Sequence, residues 1–185
     1  MASTLSQRSH KVSKESVKSL TKISFTIQPT TRDDIPQILQ LNQAAIPAVN
    51  SLSRRELLGL FADSDYFRSM RINGSIVAFL IALAPEKCYS SINYLWFGER
   101  YKDFLYIDRI VIDPAHQKRG LGRLFYDDLK AFAGNRFPRI TCEVNLRPKN
   151  KPSLTFHSRY GFHEVGIQET ENGRKTVCLM EYSLA

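Results

Sequence analysis

The run Gln117-Lys118-Arg119-Gly120-Leu121-Gly122-Arg123 has the chemistry of an anion cradle. Gly120 and Gly122 lack a Cβ, so an anionic group can come close to the backbone there. Leu121, Leu124, Phe125, Leu129, Phe132 and Ala133 fall on one stripe of a helix. The amides of 118–123 therefore sit at a helix start, where they have no partners inside the helix and feel the positive end of its dipole. Lys118, Arg119 and Arg123 add charge, and a pyrophosphate suits such a site. Two other phosphate loops are excluded. The third glycine of a dinucleotide fingerprint is replaced by Phe125, and no Walker A run occurs.

The cradle must be carried by the strand before it and the helix after it. Phe104 to Ile112 is β-branched and aromatic, which fits a strand, and Asp113-Pro114 ends it. Gly134 stops the helix. Upstream, Ile23 to Gln28 alternates as a first strand. Thr30 to Asp34 opens a helix that Pro47 breaks, and Ser53 caps a second helix. Asn73-Gly74 predicts a hairpin between Tyr66–Ile72 and Ser75–Leu83. Downstream come a strand over Pro138–Leu146, a helix over Lys151–Tyr160 capped by Asn150, and a final hairpin of Phe162–Glu169 with Lys175–Tyr182. The connection lengths imply an α/β protein with a mixed sheet and helices on both faces.

Between Pro85 and this central strand lies a long connection dense in aromatic residues: Tyr89, Tyr94, Trp96, Phe97, Tyr101, Phe104 and Tyr106. Two readings stand: an aromatic wall over an acceptor substrate, or a satellite core beneath a long loop.

The 185 residues suit one domain over 23–185 with a serine-rich, basic extension over 1–22 that reads as disordered or as a targeting segment. The extension holds five basic residues against Glu15, half of the formal charge of +8. Apolar content of 43% is enough for a core, and no apolar run is long enough to span a membrane. Cys88, Cys142 and Cys178 form neither a metal-ligand pattern nor a disulfide framework, so a reducing, cytoplasmic setting is expected, with no metal. Basic charge alone also suits nucleic acid, but no basic helix with interleaved aromatics supports a specific nucleic-acid partner.

The loop [QR]-x-x-G-x-G after a strand and a proline turn resembles the coenzyme A pyrophosphate loop of the GNAT superfamily of acyl-CoA N-acyltransferases. A second stretch, Asn150 to Phe162 (NKPSLTFHSRYGF), is similar to that family's N-x-x-[AS]-x-x-[LF]-Y-x-x-x-G-F. Tyr106 to Val111 (YIDRIV) and the CEVN strand resemble a bacterial group of the family. The resemblance covers roughly residues 23–183. It implies a mostly antiparallel twisted sheet of about seven strands, with acetyl-CoA as cofactor. The backbone at Ile110, Val111 and Ile112 would hold the pantetheine arm and the acetyl carbonyl. The amides of Lys118 to Arg123 would take the pyrophosphate, with Gln117 also at the cofactor and Asn150 and Ser153 on the pantetheine side.

The family commonly places a tyrosine on the last helix to protonate the leaving thiolate, and this chain has His157 there. Asn150 and His157 are seven apart, so they share a helix face. His157 is expected to line the cofactor and to act as the acid, unless it is simply packed there or satisfied in the core. An amine nucleophile needs a base. Period two puts Tyr106, Asp108, Ile110 and Ile112 on one strand face, which points Asp108 toward the acceptor, unless it simply pairs with Arg109. Tyr94, Trp96, Tyr101, Tyr106, Glu143 and Asn145 are the expected substrate contacts. The activity implied is acetyl transfer to the primary amine of a small molecule by direct attack in a ternary complex, without a membrane and with a homodimer as one assembly open to it. A protein or peptide acetyltransferase and a non-catalytic acyl-CoA-binding module are the alternatives.

Overall fold

The computed structural model describes residues 25–184. The extension over 1–22 and the start of the expected first strand lie outside them. Strand β1 (Phe25–Pro29) is followed by a 3-10 turn and helix α1 (Ile35–Ala44), then α2 (Arg54–Asp63). Ser53 caps α2 by accepting the Glu56 amide, and the Glu56 carboxylate accepts the Ser53 amide in return. β2 (Tyr66–Ile72) and β3 (Ser75–Leu83) form the hairpin that Asn73-Gly74 predicts, with φ of 50° and 83° at those two residues.

A helix that the sequence reading did not foresee follows: α3 (Ile92–Gly98), capped by the Ser91 hydroxyl. Seven residues are barely two turns, too short for a helical period to stand out. Next come β4 (Leu105–Ile112), α4 (Leu121–Ala133), β5 (Arg139–Arg147), α5 (Lys151–Tyr160), β6 (His163–Thr170) and β7 (Lys175–Ser183).

The seven strands form one sheet in the order β1-β2-β3-β4-β5-β7-β6. Every neighbouring pair is antiparallel except β4 and β5. That parallel pair is joined only at Leu105–Ile140 and Tyr106–Thr141. Beyond those two positions the strands part, leaving a gap in the middle of the sheet.

One core lies under α4 and α5, around Leu121, Phe125, Leu129 and Phe162. The other lies under α1, α2 and α3, around Ile35, Ile38, Leu57, Leu60 and Phe97. Strand β4 serves both, but not with a strict period of two. Ile81 pairs with Arg109 while Ala82 pairs with Ile107, so Asp108 is an extra, bulged residue. The bulge exchanges the faces. Leu105, Ile107, Ile110 and Ile112 face α4, whereas Tyr106 and Val111 belong to the other core. Tyr106 and Ile110 therefore do not share a face, contrary to the simple alternation.

Helix α3 is locked to the outermost strand through Gly166, where an added Cβ would lie 2.7 Å from the Trp96 ring. A Gly166→Val variant is expected to lose about 1–3 kcal/mol of stability by overpacking, read from a urea melt. No helix among the described residues is long and apolar enough to cross a membrane.

Candidate active site

Two cavities open on the gap between β4 and β5. The first, about 590 Å³, follows the cradle and is lined by Ile110 to Ile112, His116 to Lys118, Gly120 to Arg123 and one face of α5. The second, about 650 Å³, lies on the other side of the gap. Ala48, Val49, Ile110, Asn150, Ser153 and His157 line both, so the cavities meet at these residues.

In the cradle the two glycines have different jobs. Gly120 caps α4 in the left-handed region at φ 80°, with open space where a side chain would stand. At Gly122 a Cβ would come within 3.2 Å of the Phe156 ring, so this glycine lets α4 approach α5. Leu121 is buried as the first residue of the helix. Gln117 turns back and donates its side-chain amide to the Ile112 carbonyl at 3.0 Å, which ties the loop to the strand end. Arg123 is exposed and 3.8 Å from Asp127. Arg119 is exposed and does not line either cavity.

Helix α5 begins at Asn150, whose side chain accepts the Ser153 amide at 3.2 Å. Two turns on, His157 is buried. Its Nδ1 lies 2.8 Å from the Ser153 carbonyl, which can only accept, so Nδ1 carries the proton. Its Nε2 then accepts from the Tyr126 hydroxyl at 2.7 Å. Burial holds the imidazole down at about 4, so the ring is neutral near pH 7. Tyr126 escaped the sequence reading because a tyrosine beside an apolar helix stripe looks like packing, and only α5 reveals its partner.

Asp108 lines the second cavity, but its carboxylate is engaged on both oxygens. Oδ2 accepts Arg109 Nε at 2.5 Å, and Oδ1 accepts the Tyr89 hydroxyl. The pair is almost sealed from solvent, with side-chain exposures of 4% for Asp108 and 7% for Arg109. Arg109 reaches on to the Asn42 side chain at 2.9 Å and the Asn50 carbonyl at 3.3 Å. From the other side Lys175 donates to the Asn50 side chain at 2.6 Å. The segment between α1 and α2, which roofs both cavities at Ala48 and Val49, is thus held at Asn50 by two cations.

Glu143 stands on β5 two residues beyond the last β4–β5 pair, as Asp108 does on β4. Its Oε2 accepts the Tyr106 hydroxyl at 2.7 Å. Burial pushes the carboxyl up to about 7; the Tyr106 bond pulls against this and the Asp108 charge adds to it. Asn145 lines the same cavity.

Tyr94, Trp96 and Tyr101 do not line either cavity. The Tyr94 hydroxyl donates to the Ala84 carbonyl at 2.7 Å, and its ring packs on Tyr89, Phe104 and Tyr106. Trp96 is sandwiched between Gly166 and the Arg100 guanidinium, and Tyr101 stacks on Phe97 beneath Arg139. These rings form the satellite core, because α3 turns them toward the sheet. What the segment lends to the cavity is its polar beginning, Cys88 to Asn93.

The family model described as "Acetyltransferase (GNAT) family" matches residues 35–162, more than half of the chain. The chain belongs to the GNAT acetyltransferase family. Solved structures share the GNAT fold. The ribosomal-protein-S18-alanine N-acetyltransferase of Escherichia coli is 20% identical with a TM-score of 0.66, over 88% of this chain and 95% of its own. Ard1 from Thermoplasma volcanium is 15% identical with a TM-score of 0.72, over 88% and 99%. Naa20 of Chaetomium thermophilum, in complex with a bisubstrate analogue, is 16% identical with a TM-score of 0.67, over 85% and 86%. No curated protein matches the sequence. GNAT enzymes generally take their acetyl group from acetyl-CoA. The left-handed Gly120 and the open space beside it suit that cofactor's pyrophosphate, and the gap between β4 and β5 suits its arm.

Proposed function

We propose that this GNAT enzyme transfers the acetyl group of acetyl-CoA to the primary amine of a small cationic molecule, by direct attack with both substrates bound. The observation that carries the reading is the meeting of the two cavities where β4 and β5 part. One cavity runs to the cradle; the other is polar and edged with acid. Glu56, Asp63 and Glu143 line it, and none has an ion pair within 4.0 Å among the described residues. A cationic amine complements such a wall.

Bound acetyl-CoA supplies an activated thioester. The amides of residues 118–123 would hold its pyrophosphate, with Lys118 and Arg123 beside it. The backbone of Ile110 to Ile112, unpaired on the β5 side, would hold its arm, with Asn150 and Ser153 facing it. His157 has its only proton on the Ser153 carbonyl and no proton to give a leaving group near neutral pH. We read it as a positioning residue at the junction. A thiol titrates near about 8.5, so the thiolate departs without a strong acid. Asp108 is likewise read as the anchor of Arg109 and the roof.

A peptide or protein amine is the second reading, since the similar E. coli structure is by its name a ribosomal-protein-S18-alanine N-acetyltransferase. The test is acetyl-CoA with glycinamide, ethanolamine, tyramine, cadaverine and a set of short peptides, following thiol release and product mass. Thiol release that depends on a small amine supports the proposal. Release with peptides alone shifts it to the second reading. Acetyl-CoA binding without release from any amine makes the protein an acyl-CoA-binding module.

A further inference from the structure

We infer that the acyl group of the donor thioester lodges in a small apolar recess on the α4 side of the gap, and that Tyr126, pinned there by His157, is the wall that limits its length. This rests on the acetyltransferase reading above and names the residue that selects among acyl-CoA donors.

The second cavity is polar along its outer part, but its inner end is not. Ile107 and Ile110 of β4, Cys142 and Val144 of β5, and Tyr126 of α4 line it there. All five belong to the core under α4 and α5 or pack against it, so this end lies on the α4 side of the sheet. The bulge at Asp108 is what turns Ile107 and Ile110 to the same side. Ile110 and His157 also line the cofactor cavity, which puts the recess at the junction.

The chemistry asks for such a space. A thioester carbonyl carbon is planar, and an amine must approach it from above that plane. With sulfur on the cofactor side and the amine in the polar part of the second cavity, the alkyl end needs room that belongs to neither. The recess supplies it, and it is narrow: Ile107, Tyr126, Cys142 and Val144 are all buried.

Tyr126 cannot easily swing aside. Its ring meets Phe156, His157, Tyr160 and Phe162 edge to face, with centroids 5.1 to 5.7 Å away. Its hydroxyl donates to His157 Nε2 at 2.7 Å, and His157 is itself fixed by the Ser153 carbonyl at 2.8 Å. Moving the ring would leave a buried donor and acceptor unpaired. Cys142 contributes shape alone. Burial pushes its thiol well up, so it stays protonated and does not attack the thioester.

The experiment is thiol release from acetyl-, propionyl-, butyryl- and hexanoyl-CoA, each with the best amine that the wild type accepts, read as kcat/KM relative to acetyl-CoA. Wild type, Tyr126→Phe, Tyr126→Leu and Val144→Ala are compared, with a melting point for each. One methylene in a closed apolar site is worth about 10–200-fold in discrimination. The wild type is therefore expected to use butyryl-CoA about 100-fold less well than acetyl-CoA, or worse. Tyr126→Leu should raise the butyryl-to-acetyl ratio about tenfold or more. Val144→Ala trims another wall of the recess and should raise it too, which keeps the test alive if Tyr126→Leu does not fold. Tyr126→Phe keeps the ring and should keep the wild-type ratio. A merely structural Tyr126 would lower the melting point and leave every ratio alone. A wild type that uses butyryl-CoA as well as acetyl-CoA overturns the inference, as do ratios that neither Tyr126→Leu nor Val144→Ala moves. So does a Tyr126→Phe ratio shifted as far as that of Tyr126→Leu, because shape would not then be the selector. These results leave the acetyltransferase reading standing. Absence of thiol release from every donor with every amine overturns that reading, and the inference with it.

Discussion

A Gly120→Glu variant is expected to fold and to gain no thermal stability from acetyl-CoA. The space where its side chain would stand is empty, so the chain itself is not crowded. The left-handed backbone at φ 80° costs a side chain about 1–3 kcal/mol, which lowers the unliganded melting point modestly. The ligand suffers far more, because the new carboxylate stands at the amides meant for a pyrophosphate. Acetyl-CoA at 100 times its dissociation constant should stabilise the wild type by about 2.7 kcal/mol. For a chain of this size that is roughly 5–11 °C in a melt. Desulfo-CoA should give much of the shift and ADP a smaller one. Gly120→Ala separates the two effects, since it carries the backbone strain without the charge and should keep most of the ligand response. A wild type that gains nothing from millimolar acetyl-CoA would remove the cradle from the functional account.

Asp108→Ala should be among the most damaging single changes in the protein. It leaves the Arg109 guanidinium buried beside an absent partner, and breaking such a pair costs about 3–5 kcal/mol. The melting point would fall by roughly 6–20 °C. Replacing both charges in Asp108→Ala with Arg109→Met should recover much of that stability, because a buried pair gains little over packed apolar groups. It should not recover acetyl transfer, since the Asn50 carbonyl has still lost its donor and the roof its inner anchor. Activity and stability measured together on the single and double variants test this. A single variant that melts within a degree or two of the wild type would mean that the pair is solvated in solution.

The two predictions fall on opposite sides of what the sequence makes legible. The cradle is local. Two glycines, the proline turn before them and the apolar stripe after them lie within thirty residues, and each has a conformational reason that can be read from its neighbours. The Asn73-Gly74 hairpin and the caps at Ser53 and Asn150 are legible for the same reason. The surroundings of Asp108 are not local. Its bulge is set by how β4 registers on β3, and alternation along one strand carries no trace of that. The roof is held by Arg109 and Lys175, which lie 59 and 125 residues from Asn50. The aromatic segment misled for a third reason. Its composition announced burial, but which side of the sheet it served depended on α3, whose two turns were too brief to show a period.

The position of the roof has a thermodynamic consequence. Ala48 and Val49 border the space for each substrate, on a segment whose grip at Asn50 is shared between a buried guanidinium and an amine from the far hairpin. A ligand that settles this segment on one side does part of the ordering that the other would otherwise have to do. The two affinities are then linked, and the linkage is symmetric: whatever factor acetyl-CoA lends to the acceptor, the acceptor returns to acetyl-CoA. The enzyme would then favour the ternary complex over either binary one, and acetyl-CoA would sit less tightly when no acceptor is present.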